Sequence, residues 1–545
     1  MIKETTSKLL KGDIKGIVDD VKIKIERTVG LAGVIIISLS AMLGSGLFVL
    51  PSFAAVIMGK GIWLAFLLAA SVVLPGAFSK SELASGMPSS GGSYVYLERT
   101  YGPLVGTISG LGLWASFMLK ASFALIGFSA YMYTITNYFD FELDTMTVSI
   151  SALVLITFVN ILGVKKVKVI QAPILGLTLA LLFIVSIMAL FEKSTDLSGP
   201  WEAAINTNPW TLAETSAFVF VAYAGVTKVA AIGGEVKNPG KNLPQGIMLS
   251  LLIATILYCS ITYIMMAAIP GEWWVNGGVT VEDPIYKFIS TVAGTKIGVL
   301  AAILAVLTMI SMALAGILAA SRFLFAMARD NLLPQSLEEV NAKYETPHWP
   351  IILTAAAMGL AILLLPVESV AKLASGFKIM IFIMINSCVI VLRQTSFKHE
   401  WNPEYKSPFY PLIHIWGIIA GVVLVLIMGS KAIIGAAAAV AMGLIVYQLY
   451  GKGHAHPRTT PFTTFCTEFR NPTETEHERR ELAFNAADMG GKRHLTLREF
   501  QVALRALNFN YSSEEIRIIF HEADSDANGY IDIDEFLNYF EGNED

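Results

Sequence analysis

Residues 524–535 read DSDANGYIDIDE, and their oxygen-bearing side chains recur at the spacing of a divalent-cation loop. A hard ion wrapped by twelve residues takes ligands from positions 1, 3, 5, 7, 9 and 12, with glycine at 6 for the sharp turn. Those positions hold Asp524, Asp526, Asn528, the Tyr530 carbonyl, Asp532 and a bidentate Glu535, with Gly529 at the turn. The chemistry this predicts is Ca²⁺ coordination. Ile531 at position 8 supplies a short strand for a partner loop, and Ser512 to Glu515 reads as a capping box opening the entering helix. The partner loop is Asp488 to Glu499. It keeps Asp488, Leu495 and Glu499 but sets Gly490 and Lys492 where oxygen ligands belong, and Arg493 at the turn. Cations there repel a divalent ion. This loop is read as a structural mate that binds no Ca²⁺.

A second candidate site lies in the apolar part of the chain. The first apolar run, IIISLSAMLGSGLFVLP, is broken by Gly44-Ser45-Gly46. A later one, residues 211–244, reads TLAETSAFVFVAYAGVTKVAAIGGEVKNPGKNLP, broken by glycine and closed by a basic, proline-bounded hinge. No water satisfies backbone groups in lipid, so an interruption at depth survives only inside protein or beside a water-filled cavity. Two broken spans in corresponding positions of two halves point to the binding site of a secondary transporter. Close helix packing through small residues is the structural alternative for Gly44 and Gly46.

Two lysines, Lys120 and Lys228, fall inside apolar spans. A cation at the centre of a membrane helix costs roughly 2.5–3.5 kcal/mol on insertion scales, so it usually faces a cavity or a partner. No carboxylate sits at matching depth. Three readings stay open: ammoniums bonded to freed carbonyls, an anion-accepting pocket, or a titrating group that couples transport to protons. The last two both disfavour a cationic substrate. Lys378, nearer the outer end of its span, is expected to snorkel.

The elements that must position these groups follow from composition. The 545 residues are 54% hydrophobic and 15% charged, with mean hydropathy +0.60, against roughly 25% charged in a soluble protein. Twelve runs are long enough to span a bilayer: 31–52, 61–83, 103–135, 145–163, 169–191, 211–233, 244–269, 296–328, 349–366, 369–393, 411–430 and 432–450. Lys and Arg crowd alternate loops, among them Lys80, Arg99, Lys165, Lys166, Lys168, Lys237 and Lys241, while the other loops are acidic. The positive-inside rule then makes both termini cytoplasmic. A plasma membrane is favoured over an organelle membrane. Three cysteines give no disulfide framework, and the N-terminal residues read as an amphipathic helix on the inner membrane face rather than a cleaved leader.

The expected organisation is a cytoplasmic segment 1–27, a twelve-span domain 28–450, a linker 451–477 without helical periodicity, and a soluble domain 478–545 built on the paired loops, an EF-hand pair. Phosphate loops, nucleophile elbows and His/Cys metal clusters are missing, so neither an enzyme nor a nucleic-acid partner is expected.

Residues 28–450 resemble the amino acid–polyamine–organocation permease superfamily. The resemblance rests on SAMLGSGLFVLP, PSSGGSYVYLERTYGP, FVFVAYAGVTK with GGEVKNPGKNLP, AASRFLFAMARDNLLP and VIVLR, in the right order. It implies a leucine-transporter-like five-plus-five inverted repeat with two added helices, twelve in all, in an α-helical membrane protein that ends in a small all-α EF-hand domain. It also implies an amino acid substrate whose α-carboxylate meets backbone N–H groups of Gly44, Ser45 and Gly46. The α-amino group meets carbonyls near Ala41 and Met42 and at Ala222, Tyr223, Ala224 and Gly225. Such a half-helix start offers an anion free donors and a positive dipole end. Glu235, Lys237, Arg322, Arg329 and Asp330 fall where gate or topology residues stand. The lysine that replaces a sodium ion in some proton-coupled relatives is Thr178 here.

The function expected is secondary active amino acid transport by alternating access, coupled to H⁺ or Na⁺ or run as exchange, with regulation by Ca²⁺. The alternative is an amino-acid-sensing receptor of permease fold that signals through the EF-hand domain. A Ca²⁺-gated channel is disfavoured, because no ring of filter carbonyls or carboxylates is evident.

Overall fold

The computed structural model describes residues 27, 29–87, 92–141, 143–163, 167–226, 228–231, 233, 236–341, 344, 346–395, 401, 403–455, 460–470, 476–488, 493–507, 509, 511, 513–526 and 528–541. The expected N-terminal amphipathic helix, Glu235, Gly490, Lys492 and Ser512 lie outside the described residues.

The first apolar run folds as three pieces: α1 (Leu31–Met42), α2 (Ser45–Phe48) and α3 (Leu50–Met58). Then follow α4 (Ile62–Gly86), α5 (Ser93–Tyr101), α6 (Pro103–Tyr138), α7 (Thr145–Leu162) and α8 (Val167–Phe191). A short α9 (Gly199–Ile205) precedes α10 (Pro209–Val219), which passes into 3₁₀ turns at Phe220–Gly225 and Lys228–Ala231. Next are α11 (Pro239–Ala268), a two-residue hairpin pairing Val275–Asn276 with Val279–Thr280, and α12 (Pro284–Ala293). The helices α13 (Thr295–Arg329), α14 (His348–Leu364), α15 (Val367–Gln394), α16 (Leu412–Ile427) and α17 (Ser430–Val446) complete the apolar body.

Nine helical stretches among the described residues are long and apolar enough to cross a membrane. Three shorter apolar helices, α1, α14 and α16, accompany them. The outward surface is apolar as well: Phe183, Leu364 and Leu426 are all more than half exposed. In water such a shell would be an aggregation surface; in a bilayer it faces acyl chains. This is an integral multi-pass membrane protein.

At the centre α6, 36 residues long, packs along α13 and α15, while α11 packs along α4 and α1. Prolines are carried inside three of the helices, Pro75, Pro173 and Pro244, which in lipid is tolerated where neighbouring groups re-satisfy the freed carbonyls.

The stretch expected to be a non-helical linker contains α18 (Pro461–Arg470). Thr460 and Thr463 exchange side-chain and backbone hydrogen bonds across Pro461, a helix start with proline in the first turn. The helix α18 packs on α5 and α15, with Phe462 against Tyr101 at 5.0 Å between ring centroids. The C-terminal domain is α19 (Glu476–Ala487), α20 (Leu497–Ala506), α21 (Ser513–Ala523) and α22 (Ile533–Glu541). Its core is Phe484, Leu495, Phe500, Phe520, Ile531 and Phe536.

Candidate functional site

The two interrupted helices meet. Helix α1 stops at Met42, and Leu43 and Gly44 carry the chain out of helical geometry before α2 restarts at Ser45. The first-turn amides of α2 have no preceding helical carbonyl. On the other side α10 unwinds at Phe220. A Cβ added to Gly46 would sit 2.9 Å from the Ala222 Cβ and 3.0 Å from the Tyr258 hydroxyl. One added to Gly225 would overlap the Ala41 carbonyl, and one on Gly44 would overlap the Met312 sulfur. Gly46 and Gly225 are therefore close-approach points between two broken backbones, and Gly44 is one against α13.

Side chains bond carbonyls at the breaks and on the helices around them. The Tyr258 hydroxyl donates to the Met42 carbonyl at 2.7 Å and lies 3.3 Å from the Ala222 carbonyl. Lys120 Nζ donates to the Ala41 carbonyl at 2.9 Å, and Lys228 Nζ to Ala315 on α13 at 3.3 Å. The Ser375 hydroxyl accepts from the Val221 amide at 3.1 Å and donates to the Phe218 carbonyl at 2.8 Å, bridging the unwound turn. Tyr223 reaches the Phe66 carbonyl, and Tyr131 the Phe48 carbonyl at the end of α2.

Between these groups lies a cavity of about 50 Å³, lined by Ser40, Ala41, Phe117, Lys120, Lys228 and Met312 among others. That volume suits a water molecule or two and not an amino acid. Entry of a larger solute therefore requires Met312 and its neighbours to move.

Of the residues picked from the sequence, Ala41, Met42, Gly44, Ser45, Gly46, Ala222, Tyr223, Ala224 and Gly225 are all buried, and Lys120 and Lys228 project into the same region. Lys378 departs from expectation. It is buried beneath the faces of Phe117 and Phe382, 4.9 and 5.6 Å from the ring centroids, and does not snorkel. The reason is depth: eleven residues into α15 is about 17 Å along the helix.

A second group escaped the sequence reading. Glu82, fully buried at the end of α4, accepts from Arg393 Nε at 2.7 Å and Nη2 at 2.6 Å, and from the Ser407 amide at 2.8 Å. The Arg393 guanidinium stacks over Tyr410. This bidentate pair joins α4 to α15 at the end of the body where α18 docks. Nearby, the Tyr94 hydroxyl on α5 donates to Asp330 at 2.8 Å, while Arg329 lies 3.8 Å from the same carboxylate.

In the C-terminal domain, carboxylate oxygens of Asp524, Asp526 and Glu535 lie within 4.8 Å of one another. Gly529 has φ +83°, the left-handed turn required at position 6. The Asn528 and Gly529 amides donate to the two Asp524 oxygens, which shapes the loop around the carboxylates. Ile531 pairs with Leu495 in a two-residue sheet between the loops. This donor set of hard oxygens fits Ca²⁺, which Asp524, Asp526 and Glu535 would hold together with Asn528, Tyr530 and Asp532 of the same loop. In the partner loop Arg493 adopts φ +62° at the turn, its amide bonded to Asp488.

A multi-pass helical body with two apposed helix breaks, joined to a small helical domain of two paired loops, has the architecture of a membrane transporter with an appended C-terminal domain. An amino acid permease family model matches residues 29–451 and an EF-hand domain pair matches residues 479–541. The chain belongs to the amino acid permease family and carries a C-terminal EF-hand pair. It is 30% identical over 452 residues to the branched-chain amino acid permease BcaP of Bacillus subtilis, covering 79% of this chain and 94% of that protein. It is 26% identical over 448 residues to the methylthioribose transporter of the same organism, at 79% and 94% coverage. A third relative, the serine/threonine exchanger SteT of Bacillus subtilis, is 26% identical over 405 residues, at 72% and 89% coverage.

Proposed function

We propose that this chain is an alternating-access secondary transporter of neutral amino acids with apolar side chains, coupled to H⁺ or Na⁺ or working as an exchanger. The observation that carries the reading is the contact of the two helix breaks, Gly46 against Ala222 and Gly225 against Ala41. In this reading the amides of Gly44, Ser45 and Gly46 take the α-carboxylate, and the α-amino group takes carbonyls now bonded to Lys120 and Tyr258. Ile37, Phe117 and Met312 give the cavity apolar walls, and a relative named for branched-chain amino acids agrees with them. Lys120 and Lys228 add fixed positive charge, which disfavours cationic substrates.

The same proposal takes the body as twelve spans in a five-plus-five repeat plus two, with both termini cytoplasmic, in the plasma membrane. Ca²⁺ bound at Asp524–Glu535 regulates transport. Support for that comes from α18, the last helix before the EF-hand pair, which packs on α5 and α15 close to the Glu82–Arg393 and Tyr94–Asp330 contacts. The test is uptake of labelled amino acids into proteoliposomes under separate pH and Na⁺ gradients, with Ca²⁺ buffered on the tail side. Absence of uptake under every gradient and in exchange mode contradicts it.

A further inference from the structure

A second cavity, of about 1230 Å³, shares no described residue with the one at the helix breaks. Arg27 ahead of α1, the end of α4, the first turns of α11 and the segment Glu404–Tyr405 line it. No residue of α6 or α13, which wall the small cavity, takes part. It is therefore a peripheral crevice.

Its chemistry is mixed in a specific way. Arg27 and Lys241 bring two cations, and Glu404 one carboxylate. None of the three forms an ion pair with another described residue. The Glu404 carboxylate packs on Gly240 so closely that a Cβ there would overlap it. This places the acid against the first turn of α11.

The crevice also has an apolar exit. Met248 and Leu249 line it, and the outward face of α11 continues through Leu252 and Ile256, each more than half exposed. Positions 249, 252 and 256 fall on one helix face. From Lys241 to Ile256 the helix runs about 22 Å, roughly a headgroup plus one leaflet of a hydrocarbon core about 30 Å thick. A polar crevice at one end and an apolar stripe leading from it match an amphiphile in the bilayer.

We propose that this crevice binds a phospholipid whose headgroup carries both a phosphate and a primary ammonium, as in phosphatidylethanolamine. Arg27 and Lys241 receive the phosphate, and the ammonium donates to Glu404. A choline headgroup has no N–H to donate, and a glycerol headgroup leaves the Glu404 charge uncompensated beside a phosphate.

The experiment is native mass spectrometry of the full-length protein in detergent. Ethanolamine, choline and glycerol phospholipids of identical acyl chains are added in turn, with soluble phosphoethanolamine as competitor. The wild type is expected to retain the ethanolamine lipid at least about fivefold better than the choline lipid. Glu404→Gln, an isosteric change, should bring the ethanolamine lipid down to the choline level while leaving choline retention unchanged. Lys241→Gln, at an exposed position, should lower retention of both. Equal retention of all three lipids by the wild type overturns the proposal. So does an ethanolamine preference that survives Glu404→Gln, or displacement by soluble phosphoethanolamine at the concentration of the lipid itself.

Discussion

Tyr258 and Met42, 216 positions apart, are joined by a 2.7 Å hydrogen bond from the tyrosine hydroxyl to the carbonyl that ends α1. The same hydroxyl lies 3.3 Å from the Ala222 carbonyl in the second break. One side chain on α11 thus ties both interruptions together. Tyr258→Phe leaves both buried carbonyls without that donor, at a cost of about 1–3 kcal/mol. Substrate affinity in the purified variant should fall about tenfold or more, with expression and membrane insertion retained. Unchanged affinity would mean that the bridge is only packing.

Gly46→Val should abolish substrate binding, because its side chain would enter space held by Ala222 and the Tyr258 hydroxyl. Surface-exposed loops should still label normally in the intact membrane. Decarboxylated analogues should bind the wild type poorly. Equal binding of an amine and its parent amino acid would sink the carboxylate role of the Gly44–Gly46 amides.

The lysines inside the apolar body, Lys120, Lys228 and Lys378, give a graded series. Lys120→Met removes the donor to Ala41, beside the breaks, and should impair uptake at least about tenfold. Lys228→Met loses its bond to Ala315 on α13 and should alter uptake or its pH profile. Lys378→Met, whose cation lies over two aromatic rings and bonds neither break, should have the smallest effect on uptake. The ranking is read from initial rates across pH; a reversed order contradicts it.

These relationships show where sequence reading ends. Glycines inside apolar runs are a one-dimensional signal, so Gly44, Gly46 and Gly225 were legible. The Ca²⁺ loop was legible for the same reason: its ligands lie within twelve consecutive residues. Tyr258, Met312 and Ser375 were not, since each looks like ordinary helix packing until folding brings it to a break. Glu82 and Arg393 stand 311 positions apart, each at a span end where a charge needs no partner. The depth of Lys378 was misjudged because span ends read from hydropathy do not fix what covers a residue. Helix α18 did leave a signal, the Thr-Thr-Pro start at residues 459–461, overshadowed by the polar composition around it.

On the loop preceding α12, burial pushes the Glu282 carboxyl up to about 7, with neighbouring Asp283 adding to the rise. Burial raises Asp283 as well, against the opposing pull of the hydrogen bond it accepts from Thr134 at 2.6 Å and of nearby Lys287. The folded state therefore holds the Glu282 proton more tightly than the unfolded chain. Stability should fall as pH rises from about 4.5 to about 7, where the unfolded state has released the proton and the folded state has not. Glu282→Gln should flatten that slope in thermal unfolding scans. A slope of opposite sign in the wild type would contradict the assignment.

Calcium should bind at one site per chain, with a dissociation constant of roughly 10⁻⁷–10⁻⁵ M if the loop works as a sensor. Glu535→Gln should weaken it by about tenfold or more in calorimetry, while Glu499→Gln in the partner loop should leave it unchanged. Two equivalent sites per chain would overturn the reading of that loop.

Central to this account is that the paired helix breaks move an amino acid across the membrane. The direct measurement is uptake of labelled leucine, isoleucine and valine by proteoliposomes of the full-length protein, against serine, lysine and methylthioribose as comparators. The account predicts saturable uptake of the apolar neutral amino acids, little uptake of lysine, and loss of all transport in Gly46→Val. Lysine carried as well as leucine, or uptake undiminished in Gly46→Val, would contradict it.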